Sequence, residues 1–250
     1  MHEPIESSTA EQPRRTFSRW TSTTWPDAGA SFTNGVGILG TGSYVPAQEV
    51  TNEELARRVR DADPEWIGRK TLIQSRRFAA PDEAASDLAA NAAHAALQRA
   101  RLSAHQVDYL IVSTSTGDSP QPPTSALVQA KIGATRAACM DVNVVCSGFV
   151  FALALARSLV ITDPGALILV VGTDVYSRIL DFDDRRTAVL FGDGAGAVVV
   201  GAVPEPYGIA DVELVTRGDA SRMIRVDAGG SRLPATVDTV TNGDHWFKME

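Results

Sequence analysis

Two cysteines in 250 residues are too few for a disulfide scaffold, and Cys139 and Cys146 lack the spacing of a metal site or a redox pair. Basic side chains are outnumbered by acidic ones, 23 against 30. The resulting net charge of −7 argues against general nucleic-acid binding, because counterion release needs clustered Lys and Arg. No charge-free stretch is read as long enough to span a membrane, since Arg157 interrupts the apolar run after Cys146. The N-terminus carries Glu3 and Glu6 and no apolar core, so it does not read as a signal peptide. With so little cysteine, a reducing cytoplasm is the expected setting.

What is present is an ordinary core-forming composition, 44% hydrophobic and 21% charged, enough for one large domain or two small ones. Residues 1–34 differ from the rest: they are Ser-, Thr- and Pro-rich, without apolar periodicity, and are expected to be a disordered extension despite Trp20 and Trp25. From "VGILGTGSYVP" the sequence reads as a short strand ending in a glycine-rich turn. A helix follows, with Thr51 as N-cap and Glu54 completing a capping box. A second helix covers "DEAASDLAANAAHAALQRARL", with Leu88, Ala92, Ala95, Ala96 and Leu102 near one face. "VDYLIVSTST", "ACMDVNVV" and "ALILVVGTDV" read as buried strands, and Gly133 stops a short helix between the first two. "AVLFGDGAGAVVVGA" reads as two strands around a glycine turn.

Alternation of buried strands with helices predicts an α/β fold with a mostly parallel sheet. The run after Cys146 spreads Phe149, Phe151, Leu153, Leu155, Leu159 and Val160 around a helix, which predicts burial between two layers. Residues 35–205 are read as the first unit and 206–250 as a looser linking region.

Cys146 falls where a buried strand gives way to that helix. Backbone N–H groups at a helix start favour an anion, lower a thiol's pKa and hold a developing oxyanion. Gly148 permits a tight turn, as in a nucleophile elbow. Free cysteines are also common as small buried hydrophobes, so position alone leaves both readings open. Cys139, inside a strand, is read as structural.

Five segments carry a resemblance: "GILGTGSYVPAQEVTNEEL", "DPEWIGRKTLIQSRRFAAP", "DYLIVSTST", "DVNVVCSGFVFAL" and "LVVGTDVYSRILDFDDRRTAVLFGDGAGAVVV". In this order and spacing the chain, over residues 35–250, resembles the β-ketoacyl-acyl-carrier-protein synthase III group of the thiolase superfamily. The resemblance implies a layered α-β-α-β-α fold of two related halves, of which these residues hold the first and the beginning of the second. It implies a homodimer with no permanently bound cofactor and no metal. Cys146 would be acylated by a coenzyme A thioester. A malonyl group on acyl carrier protein would then decarboxylate and attack the acyl-enzyme, in fatty-acid or polyketide biosynthesis.

The resemblance also matches Trp66 and Arg185 to residues on opposite faces of the coenzyme A adenine, although Arg186 is adjacent. Lys70 stands where an arginine is usual and still offers a cation for phosphate; Thr71 is a candidate hydroxyl partner. Gln121 stands where a phenylalanine closes the acyl pocket, and Leu72 where glycine is usual; both are expected to change which acyl group fits. Arg76 and Arg77 are read as surface charge rather than a carrier-protein patch. Gly192, Gly194 and Gly196 are read as allowing tight turning and close packing near the nucleophile, without the Lys-Ser/Thr of a phosphate loop. The family also needs a histidine and an asparagine beside the cysteine to stabilise the enolate. His2, His94, His105 and His245 do not stand in such settings, so the second half is expected to be incomplete here. Two further readings stay open: an acyltransferase of the same fold serving an oxygen or nitrogen acceptor, and a catalytically silent partner.

Overall fold

The computed structural model describes residues 35–250; the expected N-terminal extension lies outside the described residues. Strands β1 (Gly35–Tyr44) and β2 (Gln48–Thr51) lead into helices α1 (Asn52–Ala56) and α2 (Pro64–Thr71), then β3 (Ser75–Phe78) and the long α3 (Ala85–Ala100). Next come β4 (Tyr109–Ser113), α4 (Thr124–Ile132), β5 (Ala138–Val142), α5 (Gly148–Thr162) and β6 (Ile168–Val175). The short α6 (Arg185–Ala188) precedes β7 (Asp193–Val203), and β8 (Ile224–Val226), α7 (Val237–Thr241) and β9 (Phe247–Met249) complete the described residues.

The central sheet has the order β1-β7-β6-β4-β5. β4 pairs parallel with β5 and β6, whereas β7 runs antiparallel to both β6 and β1. Four of the five strands therefore share one direction, and the expected α/β fold with a mostly parallel, mixed sheet is what forms. β2 pairs with β3 and β8 with β9 in separate antiparallel ribbons. Thr51 caps α1 by accepting from the Glu54 N–H at 3.3 Å, and Gly133 ends α4 in the left-handed region, φ +70°.

Period-two alternation sorts the strands between two faces. Leu110, Val112, Leu169, Val171 and Val199 pack with Ala89, Ala92, Ala93, Ala96 and Leu97 of α3 and with Val128 and Ile132 of α4. Ile111, Ile168, Val170 and Val200, on the alternate positions, are also fully buried.

Two expectations need correction. The glycines of β1 do not form a turn: they lie in a ten-residue strand, because a Cβ at Gly42 would sit 2.3 Å from the Ala92 carbonyl oxygen and one at Gly40 2.6 Å from the Ala100 nitrogen. Glycine is there for close approach of α3 rather than for turning. Likewise "FGDGAGAVVVGA" holds one strand, β7, paired continuously with β6 from Asp193 to Val200. Of α5, Gly148, Ala152, Ala156 and Val160 meet the sheet; Val150, Leu155 and Ile161 are exposed among the described residues, which do not hold the second layer expected over them. By length and composition alone the run Val145–Thr162 also suffices to cross a membrane, Arg157 notwithstanding. Here its small residues dock on β4, β6 and β7, and Arg157 Nε donates to the Ile209 carbonyl at 3.1 Å.

Candidate active site

β5 ends at Val142, and the chain reaches α5 through a single 3₁₀ turn, Val145–Ser147, that contains Cys146. Val145 has φ +47°, a conformation that a β-branched residue adopts only under constraint. The Asn143 side chain braces it, accepting from the Val145 N–H at 3.3 Å. Gly148 then seats the helix directly on β4, since a Cβ there would lie 2.0 Å from Ser113 Oγ. The result is an exposed thiol at the start of a 15-residue helix, as an elbow requires.

Cys146 borders a cleft of about 260 Å³ with Ser113, Val145, Phe149, Asp174 and the glycines 172, 192, 194 and 196. Gly192, Gly194 and Gly196 alternate along the sequence, and Gly172 pairs with Gly196 in register. The paired Gly172 and Gly196 leave the strands beneath the thiol without side chains at that point, and a Cβ at Gly196 would meet nothing within 4 Å. Gly196 leaves space rather than making a turn, while Gly192 permits the close packing of β3, since a Cβ at Gly192 would lie 3.0 Å from Arg76 Cβ. Cys139 differs in every respect. It is half-buried on β5, its thiol donates to the Ala137 carbonyl at 3.4 Å, and burial, helped by the Asp141 charge, pushes its pKa up.

Two carboxylates hold the walls. Asp174 Oδ1 accepts from the Ser115 N–H and hydroxyl, both at 2.9 Å, and from the Thr116 hydroxyl at 2.8 Å. This ties the end of β4 to the end of β6. Ser115 also lies 3.2 Å from the Tyr176 hydroxyl, whose pKa is raised chiefly by burial. Asp193 accepts from the Ala79 N–H at 2.7 Å and from the Ser177 N–H at 2.8 Å, anchoring the start of β7. Neither aspartate was singled out in the sequence. The available signal was a lone carboxylate at the end of an otherwise apolar strand.

The other sequence candidates stand elsewhere, and none of them lines the Cys146 cleft. The structure brings Trp66 of α2 and Arg185 of α6 together, with the guanidinium carbon 4.7 Å from the ring centroid, a cation–π contact. Arg186 instead forks onto Asp184, with both nitrogen–oxygen distances 2.9 Å. Lys70 is exposed on the last turn of α2. Thr71 is occupied at the helix end, donating to the Ile67 carbonyl at 2.8 Å and accepting from the Ile73 N–H at 3.0 Å. Gln121 lies in an exposed loop, where its own carbonyl accepts from the Ser119 hydroxyl at 2.8 Å. Leu72 adopts φ +61° and is 83% exposed, which explains why glycine suits that position. It ends α2 and is not among the residues that line the Cys146 cleft. Arg77 is exposed and pairs with Glu49, as read. Arg76 is not surface charge: it is buried, because strand alternation places it on the same side of β3 as Phe78. Among the described residues no group of three or more His, Cys, Asp or Glu is placed to hold a metal.

A family model for 3-oxoacyl-[acyl-carrier-protein] synthase III matches residues 140–218, which include the Cys146 elbow, β6 and the glycine-bearing β7. The chain is 49% identical over 216 residues to the acetoacetyl CoA synthase NphT7 of Streptomyces sp. strain CL190, covering 85% of this chain and 65% of that protein. It is 45% identical over 214 residues to the β-ketoacyl-[acyl-carrier-protein] synthase III of Caldanaerobacter subterraneus subsp. tengcongensis, covering 86% and 64%. A crystal structure of a 3-oxoacyl-(acyl-carrier-protein) synthase III superposes with a TM-score of 0.77 at 34% identity, over 86% of this chain and 67% of that one. The chain thus spans about two thirds of the length of the proteins it matches. The shared thiolase-like fold, the identity along it and the family match across the cysteine elbow together show that the chain belongs to the 3-oxoacyl-[acyl-carrier-protein] synthase III family.

Proposed function

We propose that the protein is a condensing acyltransferase in which Cys146 carries the acyl group. The observation that carries this reading is the exposed thiol on a constrained turn, at the start of α5, beside a cleft lined by four glycines. Sulfur attacks the carbonyl carbon of an acyl-CoA, the carbon–sulfur bond to coenzyme A breaks, and coenzyme A leaves as the thiol with the proton from Cys146. Backbone N–H groups at the head of α5 are suited to the oxyanion of that step. In the second step a malonyl thioester loses carbon dioxide, and its carbanion attacks the acyl-enzyme. The products are a β-ketoacyl thioester and the free Cys146 thiol, after proton uptake. The family likeness supports malonyl carrier protein as the extender. The likeness to an acetoacetyl CoA synthase favours a second reading, in which malonyl-CoA extends an acetyl primer to a four-carbon product.

The stacked Trp66 and Arg185 are proposed to receive the nucleotide end of the thioester, with Lys70 as an adjacent cation. Thr71 and Gln121 remain in the proposal as lining of the path to that site. A cytoplasmic homodimer is part of the same reading; β5, at one edge of the central sheet, offers unpaired backbone groups for a second copy. His94, His105 and His245 do not line the Cys146 cleft, so the decarboxylation groups of the second step are not assigned to them.

Incubation with labelled acyl-CoA is expected to place one label on the wild-type protein and none on the Cys146→Ser variant. Failure of a folded wild type to take up label would overturn the reading. Addition of malonyl carrier protein or malonyl-CoA should then release carbon dioxide together with labelled β-ketoacyl product. Transfer of label without carbon dioxide would favour acyl transfer to another acceptor.

A further inference from the structure

Arg76 of β3 is 7% exposed, and its surroundings are unusual for a buried cation. Its guanidinium donates to the Val50 carbonyl at 3.2 Å, to Asn52 Oδ1 at 2.9 Å and to the Val189 carbonyl at 3.3 Å. It forms no ion pair among the described residues, and its Nε–H is buried without an acceptor. Burial accordingly pushes its pKa down. A buried charge held by neutral acceptors, with one donor unmade, is costly, and an apolar side chain of similar volume would fill the space at lower cost. Packing alone does not account for an arginine here.

Its acceptors point to what it does. Val189 is the C-cap of α6, the helix that opens with Arg185. Asn52 opens α1, and its Nδ2 donates in turn to the Ile73 carbonyl at 2.7 Å, just past the end of α2, the helix that holds Trp66. One guanidinium therefore bonds directly to the end of one helix and, through Asn52, to the end of the other. The arginine stem also reaches the cleft wall: a Cβ at Gly192, which lines the Cys146 cleft, would lie 3.0 Å from Arg76 Cβ.

We propose that Arg76 is a positioning residue that sets the spacing of α2 and α6, and so the register of Trp66 against Arg185 for the nucleotide end of the thioester donor. The inference rests on the proposed reading of that pair as the nucleotide site. A flat ring needs about 3.5 Å on each of its faces. The 4.7 Å contact must therefore widen to admit one, and a network that joins both helix ends controls how it widens.

The test uses two donors of one acyl group, acyl-CoA and its N-acetylcysteamine thioester, which lacks the nucleotide. Rates of Cys146 acylation are measured for wild type, Arg76→Lys, Arg76→Met and Asn52→Ser, with circular dichroism as the check on folding. Arg76→Lys is expected to lower the rate constant with acyl-CoA about tenfold, mainly through KM, and to leave the short thioester within about twofold. Asn52→Ser, which breaks only the link to α2, is expected to give a smaller loss of the same donor-selective kind. In an Arg185→Ala background, Arg76→Lys should have no further effect. Equal slowing with both donors, in a wild type that prefers acyl-CoA, would assign Arg76 to the fold alone and overturn the proposal. A wild type with no preference for acyl-CoA would overturn the nucleotide reading itself, and the proposal with it. If Arg76→Met does not fold, Arg76→Lys and Asn52→Ser carry the same comparison.

Discussion

The central sheet has two faces that its helices treat differently. α3 and α4 close one face, α3 with Ala89, Ala92, Ala93, Ala96 and Leu97 and α4 with Val128 and Ile132, and α3 lies close enough that glycine is required at positions 40 and 42 of β1. α5 crosses the other face on Gly148, Ala152, Ala156 and Val160, leaving Val150, Leu155 and Ile161 at 47%, 36% and 44% exposure. The two cysteines divide along the same line. Cys139 packs against the closed core and has a raised pKa, whereas Cys146 stands exposed at the head of α5. The reactive thiol thus stands at the end of the helix on one face, and the raised-pKa thiol is packed against the core of the other. The closed face supplies the rigid platform on which a constrained elbow such as Val145–Cys146 can be maintained.

The difference is sharpest at the glycines. At Gly42 an added methyl would meet the backbone of α3, with the Ala92 carbonyl at 2.3 Å, and neither partner can rotate away. At Gly148 it would meet the Ser113 hydroxyl at 2.0 Å, a group with one free torsion. Gly42→Ala is therefore expected to cost about 3 kcal/mol or more, a large fraction of the roughly 5–15 kcal/mol by which folded domains are stable. Gly148→Ala should cost about 1 kcal/mol while slowing acylation of Cys146 through displacement of the elbow. Urea denaturation of the two variants checks the order. Equal losses would mean that the two helices are seated with the same tolerance.

The cysteines give the next largest contrast. Burial and Asp141 hold the Cys139 thiol protonated above its ordinary range, so its thiolate fraction is small at pH 8 and grows only as the pH climbs further. Iodoacetamide is expected to modify Cys146 at least about tenfold faster than Cys139 at pH 8, with the Cys139 rate still rising at higher pH. Mass spectrometry of the tryptic peptides reads both sites in one experiment. Equal rates would remove the distinction between the faces.

How much of this was legible follows from the kind of signal each residue leaves. Strand and helix order, and the elbow at Cys146, were legible because buried strands and an apolar helix impose local periodicity, and because the motif around the cysteine is compact. The glycines of β1 and β7 were read as turns because glycine in sequence does not distinguish a need for positive φ from a need for close approach. At 192 the need is close approach to β3, and at 196, opposite Gly172, it is open space beneath the thiol. Arg76 was read as surface charge by residue type, although "SRRF" alternates and puts it on the side of Phe78. The contact between Trp66 and Arg185 joins residues 119 positions apart, and only the family resemblance, not local pattern, pointed to it. The all-round apolarity of α5 correctly marked an unusual helix, but periodicity records what a helix is able to bury, not what covers it.

The smallest expected effect tests that last distinction. A partly exposed apolar residue can lose only the part of its burial that this chain supplies, so Leu155→Gln and Ile161→Gln should each lower the unfolding free energy by about 1 kcal/mol. A residue covered by a second layer would behave differently, because burying a Leu or Ile side chain contributes roughly 1.5–3 kcal/mol. A loss above about 2 kcal/mol in either variant would show that the outer face of α5 is covered in solution, and the contrast between the two faces would then be one of partner rather than of packing. A loss of the smaller size together with intact labelling of Cys146 would show that the elbow is set by the inner contacts of α5 alone, through Gly148 on Ser113 and Ala152, Ala156 and Val160 on the sheet.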